Sequence, residues 1–108
     1  MKRGDVWTAA GGQAYAGKPR PVVILQDDRF DATDSITVCP LTSDPTEALF
    51  RIPIDANSDN GLRSRSCIMA DKIVSIPKAR LRILIGHIDD DDIMALNRAI
   101  FVFLGLAG

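Results

Sequence analysis

Guanidinium groups hold phosphate-like anions well, because they offer two coplanar N–H donors and stay charged at any physiological pH. The arginines of this 108-residue chain are therefore the first residues to weigh. Arg20 stands where a glycine-rich segment, GGQAYAGKP, meets the β-branched run PVVIL, a junction that fixes its backbone and leaves its head group in solvent. An arginine so placed either snorkels from a strand edge or binds an anion. A second concentration of cations lies between residues 60 and 82, where Arg63, Arg65, Lys72, Lys78, Arg80 and Arg82 face one acid, Asp71. That segment carries +5 and the rest of the chain −6, for a net charge of −1. The total argues against a bulk nucleic-acid binder, whose surface must be strongly basic to displace counterions. The asymmetry suits a local anionic ligand, and the same six side chains also read as unrelated solvated groups.

The remaining reactive residue types point elsewhere. His87 is the only histidine, and histidine suits proton transfer near neutral pH. It stands at the end of an apolar run directly before four acids, so it reads as a structural or capping partner. Cys39 and Cys67 form neither a CxxC pair nor a metal-ligand spacing with His87. Both sit in apolar surroundings and are expected to be reduced, buried thiols with no metal. Asp89–Asp92 is better placed to open a helix than to bind a cation, since acids in a first turn accept from free backbone N–H groups and complement the dipole.

These residues need a scaffold, and the hydropathy pattern predicts one. Asp5–Ala10, Pro21–Leu25, Ser35–Leu41, Phe50–Ile54, Ser66–Ile73 and Leu81–Ile88 read as six strands. PVVIL has the continuous apolar character of a strand buried on both faces. Pro53 cannot donate to a ladder, so its strand belongs at a sheet edge. After the acidic run, Ile93, Leu96, Ile100 and Phe103 recur at helical spacing, with Met94, Ala99 and Leu104 widening the stripe. A helix this apolar also suits contact with a second subunit, and Trp7 reads as core or dimer interface. The expected architecture is mainly β with a C-terminal α-helix, a small, strongly bent antiparallel sheet or barrel in a single domain spanning residues 1–108. No stretch approaches the roughly 18 apolar residues of a membrane span. MKRGDVW has no apolar segment behind its charges, so the expected location is the cytoplasm with no membrane contact.

Met-Lys-Arg-Gly-Asp-Val-Trp at the start resembles the opening of the MazF/PemK (Kid) toxins, as does Gly17-Lys18-Pro19-Arg20-Pro21-Val22-Val23-Ile24 after the glycine-rich loop. The resemblance continues through Val38-Cys39-Pro40-Leu41-Thr42-Ser43, the apolar stretch from Ile68 to Ile73, and Ile85-Gly86-His87-Ile88 before the helix. Order and spacing agree across nearly the whole chain. The resemblance implies the SH3-like barrel of the MazF/PemK/CcdB-type toxins and a homodimer. It also implies a type II toxin that cleaves single-stranded RNA as an endoribonuclease, without cofactor or metal. Its partner would be a MazE/PemI-like antitoxin whose acidic tail covers the RNA groove.

Metal-free RNA cleavage uses the 2′-hydroxyl as nucleophile and needs a base, a cation for the phosphoryl oxygens and an acid for the departing 5′-oxygen. The resemblance assigns the cation to Arg20 and a phosphate-binding hydroxyl to Thr42, with Ser43 beside it. Asp71 becomes the base in the way Kid-like toxins suggest; alternatively it pairs with a lysine or arginine and holds a loop. Lys18 and Tyr15, in the loop before Arg20, are expected to touch phosphate and to stack a base, and Arg63, Arg65 and Lys72 to bind RNA. Two departures stand out. Kid-like members carry an arginine two residues before the aspartate, where this chain has Met69, and the family's loop histidine is absent from QAYAGKP. Two other readings compete: a CcdB-like topoisomerase poison, whose C-terminal tryptophan FVFLGLAG lacks, and a non-catalytic SH3-like binding module.

Overall fold

The computed structural model describes residues 1–10, 19–44, 46 and 48–106. Seven strands precede one helix: β1 (Asp5–Ala10), β2 (Pro19–Ile24), β3 (Ser35–Thr42), β4 (Arg51–Ile54), β5 (Ser66–Met69), β6 (Val74–Pro77), β7 (Leu81–His87) and α1 (Asp90–Phe103). The expected class, mainly β with a C-terminal helix, is what the chain adopts. The expected run Ser66–Ile73 is not one strand. A 3₁₀ turn at Ala70–Lys72 ends it at Met69, and β6 follows as a seventh strand.

The sheet order is β4-β5-β3-β2-β1-β7, with β6 also paired to β3. β3 is the hub. β2 lies along one of its edges, through Val22 opposite Pro40 to Ile24 opposite Val38. Its other edge is shared: β6 pairs with its first half, Ser35 to Val38, and β5 with its last two residues, Leu41 and Thr42. β4 occupies the edge that Pro53 requires, pairing with β5 alone among the strands.

Alternation along β2 and β3 explains their unbroken apolar runs, because both faces are covered. Val23, Cys39 and Leu41 turn toward α1 and pack with Ile68, Ile88 and Leu96. Val22, Ile24, Ile36 and Val38 turn the other way, against Ala9, Trp7, Ile76 and Leu81. Trp7 is thus core-packed, although its indole N–H is buried with no hydrogen-bond acceptor among the described residues. α1 begins as its acidic run predicts, with the Asp89 carboxylate accepting from the Asp92 amide at 2.8 Å.

The fold agrees with the expected small, strongly bent antiparallel sheet, which here is not fully closed. The strand ladders leave the path open between β4 and β7. That side is covered by the loop at residues 57–61, whose Asp59 carbonyl accepts from the His87 amide at 2.8 Å. Two glycines permit the approach: a Cβ on Gly86 would lie 2.3 Å from the Asp59 oxygen, and one on Gly61 would lie 2.0 Å from the Ile85 oxygen. The bend is completed by backbone contact of a loop where a closed barrel would have a ladder.

Candidate functional site

The end of β3 organises the site. Thr42 is opposite Cys67 of β5, and Cys67 is opposite Pro53 of β4, so these residues share a face. On the other side, the β2–β3 register carried two residues beyond Val22–Pro40 sets Arg20 opposite Thr42. This face continues the surface that buries Val22 and Val38, and at this end of the sheet it is polar. Arg20 is exposed and Thr42 is partly buried. The Thr42 hydroxyl oxygen accepts from the Asp44 amide at 3.1 Å, which leaves its proton to donate.

Beside this row a cleft of about 690 Å³ opens between the β3–β4 and β4–β5 connections. Ser43, Asp44, Thr46, Arg51, Arg65 and Cys67 are among its lining residues. Ser43 and Arg65, two of the residues expected from the sequence to bind RNA, thus line this cleft. Arg65 makes an exposed ion pair with Asp55 at 3.6 Å. Asp44 accepts from the Thr46 amide at 2.9 Å and its hydroxyl at 2.7 Å, bonds that hold its carboxyl below the ordinary range. Arg63 is exposed and not among the cleft residues, and Lys72 is exposed in the 3₁₀ turn. The basic stretch 60–82 is not one surface: Lys78 is tied to Asp31, near the start of β3, at 3.2 Å. Tyr15 and Lys18 lie outside the described residues.

Asp71 and Arg51 form the best-defined polar contact at the site. Arg51 Nε donates to Asp71 Oδ1 at 3.1 Å, with both side chains largely covered, 18% and 26% exposed. Partial burial pushes the Asp71 carboxyl up, but the Arg51 hydrogen bond, a local backbone hydrogen bond and the charges of Arg51 and Lys72 together outweigh it and hold the carboxyl below its ordinary value. Of the two open readings of Asp71, pairing with an arginine is therefore present. Arg51 itself was not singled out from the sequence. The signal available was modest: Arg51 is the polar residue of the alternating run FRIPI, and only the register reveals that it faces Met69. The residue before it, Phe50, has φ +66°, an uncommon backbone for a non-glycine residue. Its ring meets Phe103 edge-on at 5.2 Å and its carbonyl accepts from Ala70 at 2.9 Å.

His87 lies where a structural reading puts it. Its Nδ1 is 2.9 Å from Asp5 Oδ1, at the end of β1 opposite the one that pairs with Arg20. Cys39 is buried, and burial pushes its thiol up to about 12. Cys67 corrects the expectation of a buried thiol. It is half-buried and lines the cleft, because its place in the register turns it to the face of Thr42 rather than to α1.

The chain matches the family model described as PemK-like, MazF-like toxin of type II toxin-antitoxin system over residues 2–104. It is 49% identical over 109 residues, all of both chains, to a probable endoribonuclease MazF of Mycolicibacterium smegmatis. Among solved structures it resembles the Mycobacterium tuberculosis toxin MazF-mt6, with a TM-score of 0.81, 27% identity and coverage of 96% of this chain and 99% of that one. An endoribonuclease solved with its cognate antitoxin, from a mycobacterial species, superposes with a TM-score of 0.81 at 22% identity, covering 100% and 98% of the two chains.

Proposed function

The chain belongs to the PemK-like, MazF-like toxins of type II toxin-antitoxin systems, and from that membership we propose that it is an endoribonuclease that cuts single-stranded RNA by attack of the 2′-hydroxyl. The observation that carries this reading is the row Arg20, Thr42 and Cys67 across three strands, beside a cleft whose lining includes Arg51 and Arg65. Surface of this kind binds a phosphodiester through charge and hydroxyl donors rather than through a metal ion.

In the proposed reaction Arg20 holds the scissile phosphate and Thr42 donates to one of its oxygens. The 2′-oxygen bonds to phosphorus as the P–O5′ bond breaks, giving a 2′,3′-cyclic phosphate and a 5′-hydroxyl. The Asp71 carboxylate receives the 2′-proton through Oδ2, its Oδ1 being engaged by Arg51. His87 is committed to Asp5, so the departing 5′-oxygen takes its proton from water. Ser43 and Arg65, with Arg63 and Lys72 at the margin and Lys18 and Tyr15 ahead of Arg20, contact the flanking nucleotides. The whole chain acts as one toxin domain, as a homodimer in the cytoplasm, and an acidic segment of its antitoxin occupies the same arginine-lined surface and excludes RNA. The family assignment favours this reading over a topoisomerase poison or a passive binding module.

The test is incubation of the purified, antitoxin-free protein with a long unstructured RNA in EDTA, beside Arg20→Ala, with both ends of every fragment mapped. Discrete cuts with cyclic-phosphate and 5′-hydroxyl ends, reduced about 100-fold or more in Arg20→Ala, are expected. Intact RNA at stoichiometric protein would reject the ribonuclease reading.

A further inference from the structure

Arg51 has no role in the steps above, yet it is the most constrained cation at the site. Two residues before Asp71 the chain carries Met69, which cannot bind phosphate, and directly across the β4–β5 ladder from Met69 stands Arg51. Facing residues of a ladder share one side of the sheet. Arg51 therefore projects on the side of Cys67 and Thr42, and it lines the cleft. We propose that Arg51 is a second catalytic arginine, contacting the scissile phosphate from the β4 side while Arg20 contacts it from β2, with Asp71 as the residue that positions it. This inference rests on the ribonuclease reading.

Three observations carry it. The first is how Arg51 meets Asp71. An arginine and carboxylate paired for their own sake commonly use two parallel bonds. Here the carboxylate takes one bond, from Nε, and no described residue accepts from the two terminal nitrogens. A guanidinium anchored by Nε keeps its outer N–H groups for a planar, two-oxygen ligand, and its side-chain freedom is already lost before that ligand arrives. The second is the backbone that delivers it. Phe50 is held in a left-handed conformation by its ring contact with Phe103 and its bond from Ala70, and Ala70 adjoins Asp71. The strained residue and the anchoring carboxylate thus belong to one assembly around Arg51. The third is the chemistry left over. With His87 held at the other end of β1 and water left to protonate the departing oxygen, the charge growing on the phosphoryl oxygens is what fixed cations at the site can offset. Arg20 and Arg51 are three interstrand steps apart with Thr42 and Cys67 on the strands between, and Arg51 stands two residues along β4 from Pro53, the residue in line with them, so the two backbones are about 16 Å apart at roughly 4.8 Å per strand and 3.4 Å per residue. Binding of one phosphodiester by both requires each side chain to reach inward across that span, Arg51 from its anchor on Asp71.

The experiment uses the full-length toxin and a short RNA containing one mapped cut. Single-turnover cleavage and binding of the same strand with a 2′-deoxy residue at the cut, which cannot react, are measured for wild type, Arg51→Ala and Arg51→Lys. Arg51→Ala is expected to slow cleavage by about 10²–10³-fold while weakening binding of the unreactive strand less than about tenfold. Added guanidinium ion, but not ammonium, is expected to restore part of its rate. Arg51→Lys keeps the charge without the planar fork and is expected to lose at least about tenfold; it carries the test if Arg51→Ala does not fold. Cleavage by both variants within about threefold of wild type, or a loss of rate matched by an equal loss of binding without guanidinium rescue, overturns the proposal. An inactive wild type sinks the ribonuclease reading itself, an outcome separate from an active wild type whose Arg51 variants are also active.

Discussion

At the scale of single residues, the site is a balance between charges that neutralise one another and charges kept for a ligand. Asp71 shows the first kind. Its folded carboxyl lies below its unfolded value, near 3.9 for a free aspartate, because the favourable bonds and charges around it exceed the cost of its partial burial. The pair with Arg51 therefore stabilises the fold fully above that value, and the contribution is lost as pH falls through the lower, folded one. Denaturant unfolding of wild type and Asp71→Asn should show a stability gap that holds from about pH 7 down to about pH 4 and closes below it. A gap unchanged in strong acid would remove the ion pair as its cause. Asp71 was legible in the sequence through its place in the resemblance, whereas Arg51 was not, since a lone arginine in an alternating strand is the ordinary signature of a solvated position. Cys67 was misjudged for a related reason. Apolar neighbours in sequence suggested burial, and in a strand such neighbours alternate between faces, so they say nothing about which face a given residue takes.

At the scale of elements, the helix start and the loop closure make opposite demands on the chain. α1 depends on a local device, the Asp89 cap. Asp89→Ala should cost about 1 kcal/mol and lower the melting temperature by roughly 4–8 °C, and Asp89→Ser should recover most of it in the same thermal scan. The closure over β7 depends instead on a close approach between segments distant in sequence. Gly86→Ala would bring a Cβ to 2.3 Å from the Asp59 oxygen and should destabilise by about 1–3 kcal/mol. It should also speed hydrogen exchange at the His87 amide, which donates to that oxygen. Native exchange at His87 in this variant would show that the loop can shift without losing the contact. The end of β5 was missed because residues 67–70, 73 and 74 are all apolar except for the break at Asp71–Lys72. A run so nearly continuous hides the 3₁₀ turn that joins β5 to β6, which pair with different ends of β3.

At the scale of the whole molecule, apolar side chains remain uncovered along the end of α1 and on β7. Phe101, Val102, Leu104 and Leu106 are each at least half exposed, as are Ile83 and Leu84 of β7, and the exposed apolar end of α1 suits a second copy of the chain. Sedimentation of Phe101→Glu with Leu104→Glu should show a shift from dimer toward monomer, and an unchanged dimer would place the interface elsewhere. Among the described residues no helix is long and apolar enough to cross a membrane. The sequence by itself determined the element types, the capped helix, the two-faced burial of β2, the edge position of Pro53 and the family, because periodicity, capping and motif spacing are properties of neighbouring residues. Only the tertiary structure decided that Arg51 stands across from Met69 and holds Asp71, that Cys67 shares a face with Thr42, and that a loop rather than a ladder covers the open side of the sheet. These depend on strand register and on backbone approach between residues far apart in the chain, where a shift of one residue would turn every side chain to the opposite face.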